Sequence, residues 1–171
     1  MKLKKWQMLM CVVLAGAGIF WTYDFMKNNR AHQVKTKVFE EVNADIRAEK
    51  TLTLTHVGDI PWDYVCIASY EARGIDVSDG VYIAQRGLNK QKLDFSGFSI
   101  ANEDYNELSR DWMYGVVFVS VSQRLLVAIS LHDTLGVSVF KDECSQANNA
   151  SLRSTGSKEN GYQVTFIGRM L

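Results

Sequence analysis

The sequence predicts an α+β fold: an N-terminal transmembrane helix, an amphipathic helix, and then a mainly antiparallel sheet with one or two short helices on one face. Three observations carry this. An uncharged apolar run, Trp6 to Tyr23, leads into apolar residues at four-residue spacing. From Thr51 the period switches to two. Strand-like segments then follow one another instead of alternating with helices, which favours an antiparallel sheet over a doubly wound one.

The run from Trp6 to Tyr23 is 18 residues long, close to the ~20 that cross a ~30 Å hydrocarbon layer as a helix. Lys2, Lys4 and Lys5 precede it and favour a cytoplasmic N-terminus, although Lys27, Arg30, Lys35 and Lys37 on the far side reduce the asymmetry. Two readings are open. Ala15-Gly16-Ala17 has the small-x-small form of a signal-peptide cleavage site. Gly18-Ile19-Phe20-Trp21 continues the apolar run beyond that point, and Trp21 and Tyr23 stand where an interfacial aromatic belt would, which favours an uncleaved anchor over 1–23. Cys11 follows Met10 rather than a small residue, so it reads as an apolar residue of the anchor and not as a lipid-attachment site.

Residues 24–50 form the next unit. Val34, Val38, Val42 and Ile46 recur every four residues with Phe39 beside them, and Lys35, Lys37, Glu40, Glu41 and Asp45 fill the other positions. That is an amphipathic helix, and no Pro or Gly separates it from the anchor. Its stripe either packs on the core of the following domain or receives a partner helix; core packing is the ordinary outcome.

Residues 51–171 form the extracytoplasmic domain. Thr51 to His56 alternates strictly and is broken by Gly58-Asp59-Ile60-Pro61; Tyr64 to Tyr70 is a second strand. Val77, Val81, Ala84 and Leu88 fall at helical spacing, with Ser78 to cap and Gly87 to end a helix over about 79–86. Lys90 to Gly97 reads as loop or edge strand, and Asn102 to Arg110 as one or two helical turns. Trp112 to Val121 and Leu125 to Leu131, rich in β-branched residues and separated by Ser122-Gln123-Arg124, are expected to form a hairpin. Thr134 to Phe140 and Tyr162 to Ile167 complete the strands, with Lys141 to Gly161 between them as a polar, mobile loop.

Composition excludes several functions. Nineteen Lys and Arg balance nineteen Asp and Glu, leaving no basic excess for nucleic acid. With 47% hydrophobic residues and one Pro the chain is not disordered. Without Lys2, Lys4 and Lys5 the remainder carries 16 positive against 19 negative charges, a net of −3.

Candidate chemistry is sparse. Cys66 and Cys144 are the two cysteines of the domain, 78 residues apart. In an oxidising compartment a structural bridge between them is expected where geometry permits, worth ~4 kcal/mol by loop closure; two separate thiols are the alternative. His32, His56 and His132 have no metal-ligand spacing. Ser130, His132 and Asp133 resemble a triad fragment but lack a nucleophile elbow. No catalytic, cofactor or metal site is therefore expected, and a small hydrolase using His132 is the remote alternative. Trp62 and Tyr70 flank the second strand; each is either an aromatic anchor for a partner or, more ordinarily, a core residue.

Trp62-Asp63-Tyr64-Val65 followed by Tyr70, the helix ending at Gly87 and the hairpin around Val116 to Val127 resemble a loosely defined group of small bacterial envelope proteins, membrane-anchored or lipoproteins, with a W-D-x-V strand. This chain departs from the pattern in having no Pro before Tyr70 and Cys66 where an aromatic is common. The resemblance implies compartment and architecture and carries no activity. The resulting expectation is a single-pass bacterial inner-membrane protein whose periplasmic domain binds another envelope component, a protein, without catalysis. An immunity or exclusion protein and a filament or secretion assembly subunit fit the same size and topology.

Overall fold

A computed structural model describes residues 5–69, 80–102, 114–131, 134–139, 144–157 and 159–168; within the first helix it describes side chains only from Thr22 onward, and not all of those up to 28. One helix, α1 (Lys5–Arg47), runs unbroken for 43 residues, about 65 Å. Among the described residues ten further elements follow it: β1 (Thr51–Thr53), β2 (Tyr64–Ser69), α2 (Gly80–Gly87), β3 (Ser99–Ala101), β4 (Tyr114–Ser120), β5 (Leu125–Ser130), β6 (Thr134–Val139), β7 (Cys144–Gln146), β8 (Ser151–Ser157) and β9 (Gly161–Ile167), with short 3-10 turns between several of them.

The strands make two sheets, not the single sheet expected. One has the order β3-β5-β4-β2-β7 and the other β1-β8-β9-β6. Pairing is antiparallel except at β3–β5 and β6–β9. Within the five-stranded sheet the apolar runs of β4 and β5 have a physical reason: these strands are buried on both faces. Val65, Ile67, Val116, Phe118, Val127 and Ile129 face α1 and the second sheet. Cys66, Val117, Val119, Leu126 and Ala128 face α2 and its following loop, meeting Ile83, Ala84, Leu88 and Phe95.

The stripe on α1 is internal. Ala31, Val34, Val38, Val42 and Ile46 are buried in the main core together with Leu152, Tyr162, Val164 and Phe166 of the four-stranded sheet. The helix thus serves as the wedge between the sheets, and its stripe is covered by its own domain. Asn43 interrupts the apolar surface at 2% exposure and donates to the carbonyls of Phe39 and, at 3.3 Å, Ser130, which sets the height of α1 against β5. The helix ends on Glu49, whose φ of 54° lies in the left-handed region, with Glu49 N–H donating to Ile46 and Lys50 N–H to Asp45. That is a Schellman arrangement with Glu in place of the usual Gly.

Several local expectations change. β1 stops at Thr53, and His56 is exposed instead of sharing the buried face of Leu52 and Leu54. The chain turns there because Gly58 closes on α1: its N–H donates to Glu41 Oε2 at 2.7 Å, its φ is 67°, and a Cβ would stand 2.7 Å from Val38 Cγ2. The helix near 79–86 is α2, one residue later, and the hairpin pairs β4 with β5 as expected. The loop expected over 141–161 instead contains β7, a 3-10 turn and β8. Its polar composition misled because β8 alternates, with Leu152 and Ser154 inward and Arg153 and Thr155 outward. Of the helical turns expected over 102–110 all but residue 102 lie outside the described residues, as does the Ser78 cap.

Among the residues described with their side chains, no helix is long and apolar enough to cross a membrane; the side chains of 5–21, most of the apolar run, lie outside that set.

Candidate binding surface

The two cysteines are brought together. Cys66 of β2 stands opposite Cys144 of β7 in the ladder, and their sulfurs are bonded across a Cα separation of 3.9 Å. The bridge is buried beneath the end of α2, where Gly87 leaves room for it: a Cβ at that position would collide with Cys144 Sγ. A sulfur pair enclosed in this way staples an edge strand to the sheet and is shielded from exchange with other thiols.

Trp62 is 4% exposed. Its ring lies 5.3 Å from that of Phe118, tilted by 50°, and its indole N–H donates to the Val57 carbonyl at 2.7 Å. The polar end of the indole is thus satisfied inside the domain, as a core Trp requires. Tyr70, the other aromatic singled out in the sequence, lies outside the described residues, as do His132 and Asp133. Ser130 is 1% exposed, at the end of β5. His32 and His56 are exposed on separate elements. Among the described residues no group of three His, Cys, Asp or Glu could hold a metal ion.

Among the described residues two surface clefts carry polar side chains. The smaller, about 240 Å³, is lined by Trp62, Asp63, Tyr64, Gln146 and Asn148. Asp63 Oδ2 accepts the N–H of Val121 at 2.7 Å, so this carboxylate ties the start of β2 to the turn after β4. The amides of Gln146 and Asn148 and the Tyr64 phenol offer hydrogen bonds, and this lining contains neither a thiol nor an imidazole. Such a set can hydrogen-bond a polar surface.

The larger cleft, about 420 Å³, is lined by Met26, Arg30, Gly97, Ser99, Ser122, Gln123 and Arg124. Arg30 of α1 donates to Gln123 Oε1 at 2.6 Å. Arg124 closes the β4–β5 turn at φ 48°, and its carbonyl accepts the N–H of Ser99 at 2.7 Å. Asp94 is the nearby carboxylate: the hydroxyl and then the N–H of Ser96 hold it below its usual range, and Arg124 adds a smaller pull the same way. Sequence reading missed this cleft because its two arginines are 94 positions apart. The one local signal was an Arg in a hairpin turn at a place that favours Gly or Asn.

Comparison of the chain with protein-family models, with curated proteins and with solved structures finds no match.

Proposed function

We propose that this chain is a single-pass inner-membrane protein whose domain lies in the periplasm and binds another envelope component, a protein, without catalysis. The observation that carries the compartment is the buried Cys66–Cys144 bridge, since such bonds persist in oxidising surroundings and are rare in the cytosol. The unbroken α1 supports the topology: the apolar run from Trp6 to Tyr23 and the stripe packed in the domain core belong to one helix. A bilayer anchor and the domain would then share one helix, whose tilt in the bilayer sets how the domain faces the membrane. The resemblance to anchored envelope proteins points the same way. A polar cleft of amides, a phenol and a carboxylate supports binding over chemistry.

The test is made on intact cells and their membranes. The protein is expected to stay in the membrane after carbonate washing with its N-terminus retained, and Cys66 and Cys144 to resist alkylation until a reductant is added. A photo-cross-linking residue at Asn148 is expected to capture a protein partner that the same residue at Thr155, on the outer face of β8, does not. A soluble form beginning at Gly18, or both thiols labelling in untreated cells, would overturn the reading.

A further inference from the structure

The arrangement of α1 on the five-stranded sheet gives the domain a defined membrane-facing end. Contacts climb the helix in order: Arg30 with Gln123 in the β4–β5 turn, Lys35 with the Asn102 carbonyl, Asn43 with Ser130 at the far end of β5, and Ile46 with Ser154 of β8. The helix therefore runs parallel to β5, and the β4–β5 turn is the part of the sheet nearest to the apolar run. Arg30 follows Tyr23 by seven residues, about 10 Å of helix. Side chains lean toward a helix N-terminus, so the guanidinium precedes its own Cα toward the bilayer, whose headgroup layer is ~5–8 Å deep on each side.

What gathers at that end matches a lipid surface. Arg30 and Arg124 line one cleft, and among the described residues the one hydrogen-bond partner of the Arg30 side chain is the neutral amide of Gln123. Met26, 63% exposed, lines the cleft, and Phe25 and Val121, 69% and 38% exposed, are the chain neighbours of Met26 and of the lining residue Ser122. Exposed apolar side chains beside guanidinium groups fit the boundary between acyl chains and phosphates. Charge supplies the contrast: the chain beyond the apolar run carries a net of −3, whereas this end brings the guanidinium groups of Arg30 and Arg124 together beside the nearby carboxylate of Asp94. Arg124 reaches this end from the β4–β5 turn, where its backbone is left-handed.

Resting on the anchored reading above, we propose that the Arg30–Arg124 cleft takes the phosphate group of an anionic phospholipid of the same membrane and so holds the domain in one orientation on the bilayer. The two guanidinium groups donate to phosphate oxygens, and Met26 and Val121 lie against the glycerol and upper acyl region.

The experiment uses the full chain in vesicles of phosphatidylcholine alone, or with about a third phosphatidylglycerol, each containing a trace of nickel-chelating lipid. Flotation is measured first. A nitroxide at Ser122→Cys, in a Cys11→Ser background with the native bridge intact, then reports collision with headgroup nickel; Thr155→Cys is the remote control. The expected result is flotation with both vesicles and a several-fold higher collision rate at position 122 in the anionic ones, with no change at 155. Arg124→Gln is expected to lower the docked-to-undocked ratio about five-fold, Arg30→Gln with it about thirty-fold, and salt near 0.5 M to remove the difference. Flotation with both vesicles but equal collision rates would overturn this proposal and leave the anchor standing. Flotation with the anionic vesicles alone would overturn the anchor and support the cleft, and flotation with neither would overturn both. Loss of the difference on adding inorganic phosphate at constant ionic strength would assign the cleft to a free anion and overturn the lipid assignment.

Discussion

The hydroxyl of Ser154 donates to the carbonyl of Ile46 at 2.7 Å, and both residues are 2% exposed. The last turn of a helix has carbonyls without partners in the helix itself, and β8 supplies one here. Ser154→Ala takes away one of the two donors of that carbonyl, which keeps the N–H of Glu49, at a cost of about 0.5–1.5 kcal/mol. The urea midpoint is expected to fall with an unchanged slope; an unchanged midpoint would show that the bond contributes nothing.

Trp62→Ala is expected to destabilise by about 3–5 kcal/mol, the range for truncating an enclosed aromatic. The loss has two sources: the packing on Phe118 and the Val57 carbonyl that loses its donor. Thermal melting checks it. A variant that melts with the parent yet no longer captures a partner would return Trp62 to the surface role.

Gly87→Ala places a methyl group against Cys144 Sγ and is expected to cost about 1–3 kcal/mol through overpacking. The cost should shrink by at least about 1 kcal/mol in a background carrying Cys66→Ala and Cys144→Ala, where the sulfur is gone. Denaturation of the four proteins of this cycle gives the coupling directly, and zero coupling would detach Gly87 from the bridge.

Glu49→Gly is expected to raise stability by about 0.5–1 kcal/mol. The left-handed conformation at the end of α1 is strained for a residue with a Cβ and relaxed for Gly, which offsets the larger backbone entropy Gly loses on folding. A rise in melting temperature without change in partner capture checks it.

Much of the architecture was legible where burial produced a repeating pattern. The stripe of Val34, Val38, Val42 and Ile46 announced α1, and the apolar runs on either side of Ser122 announced β4 and β5. Cys66 and Cys144 were legible as a pair by count alone. What stayed hidden depended on non-local pairing. Nothing near Ser151 to Ser157 indicates that Leu152 pairs with both Leu52 and Phe166, because half of that strand faces water and its polar residues resemble a loop. The parallel partners of β3 and β6 are set by distant strands, so a list of successive strands suggested one sheet where there are two. The Arg30–Arg124 cleft was hidden for the same reason: its members meet only after α1 has docked along β5.

The docking of α1 also sets an order of events during biosynthesis. Asn43 waits for Ser130, 87 residues later, and Ile46 for Ser154, 108 residues later. At ~5–20 residues per second the ribosome takes about 5–20 s to deliver the second of these partners. Until then the stripe of Val34, Val42 and Ile46 lacks the cover that β5 and β8 give it in the folded domain. An emerging helix of this kind adsorbs to a lipid interface or to a holdase until β5 and β8 displace it. Contacts of this sequence separation lead us to expect folding that completes late, after long-range closure of α1 on β5 and β8.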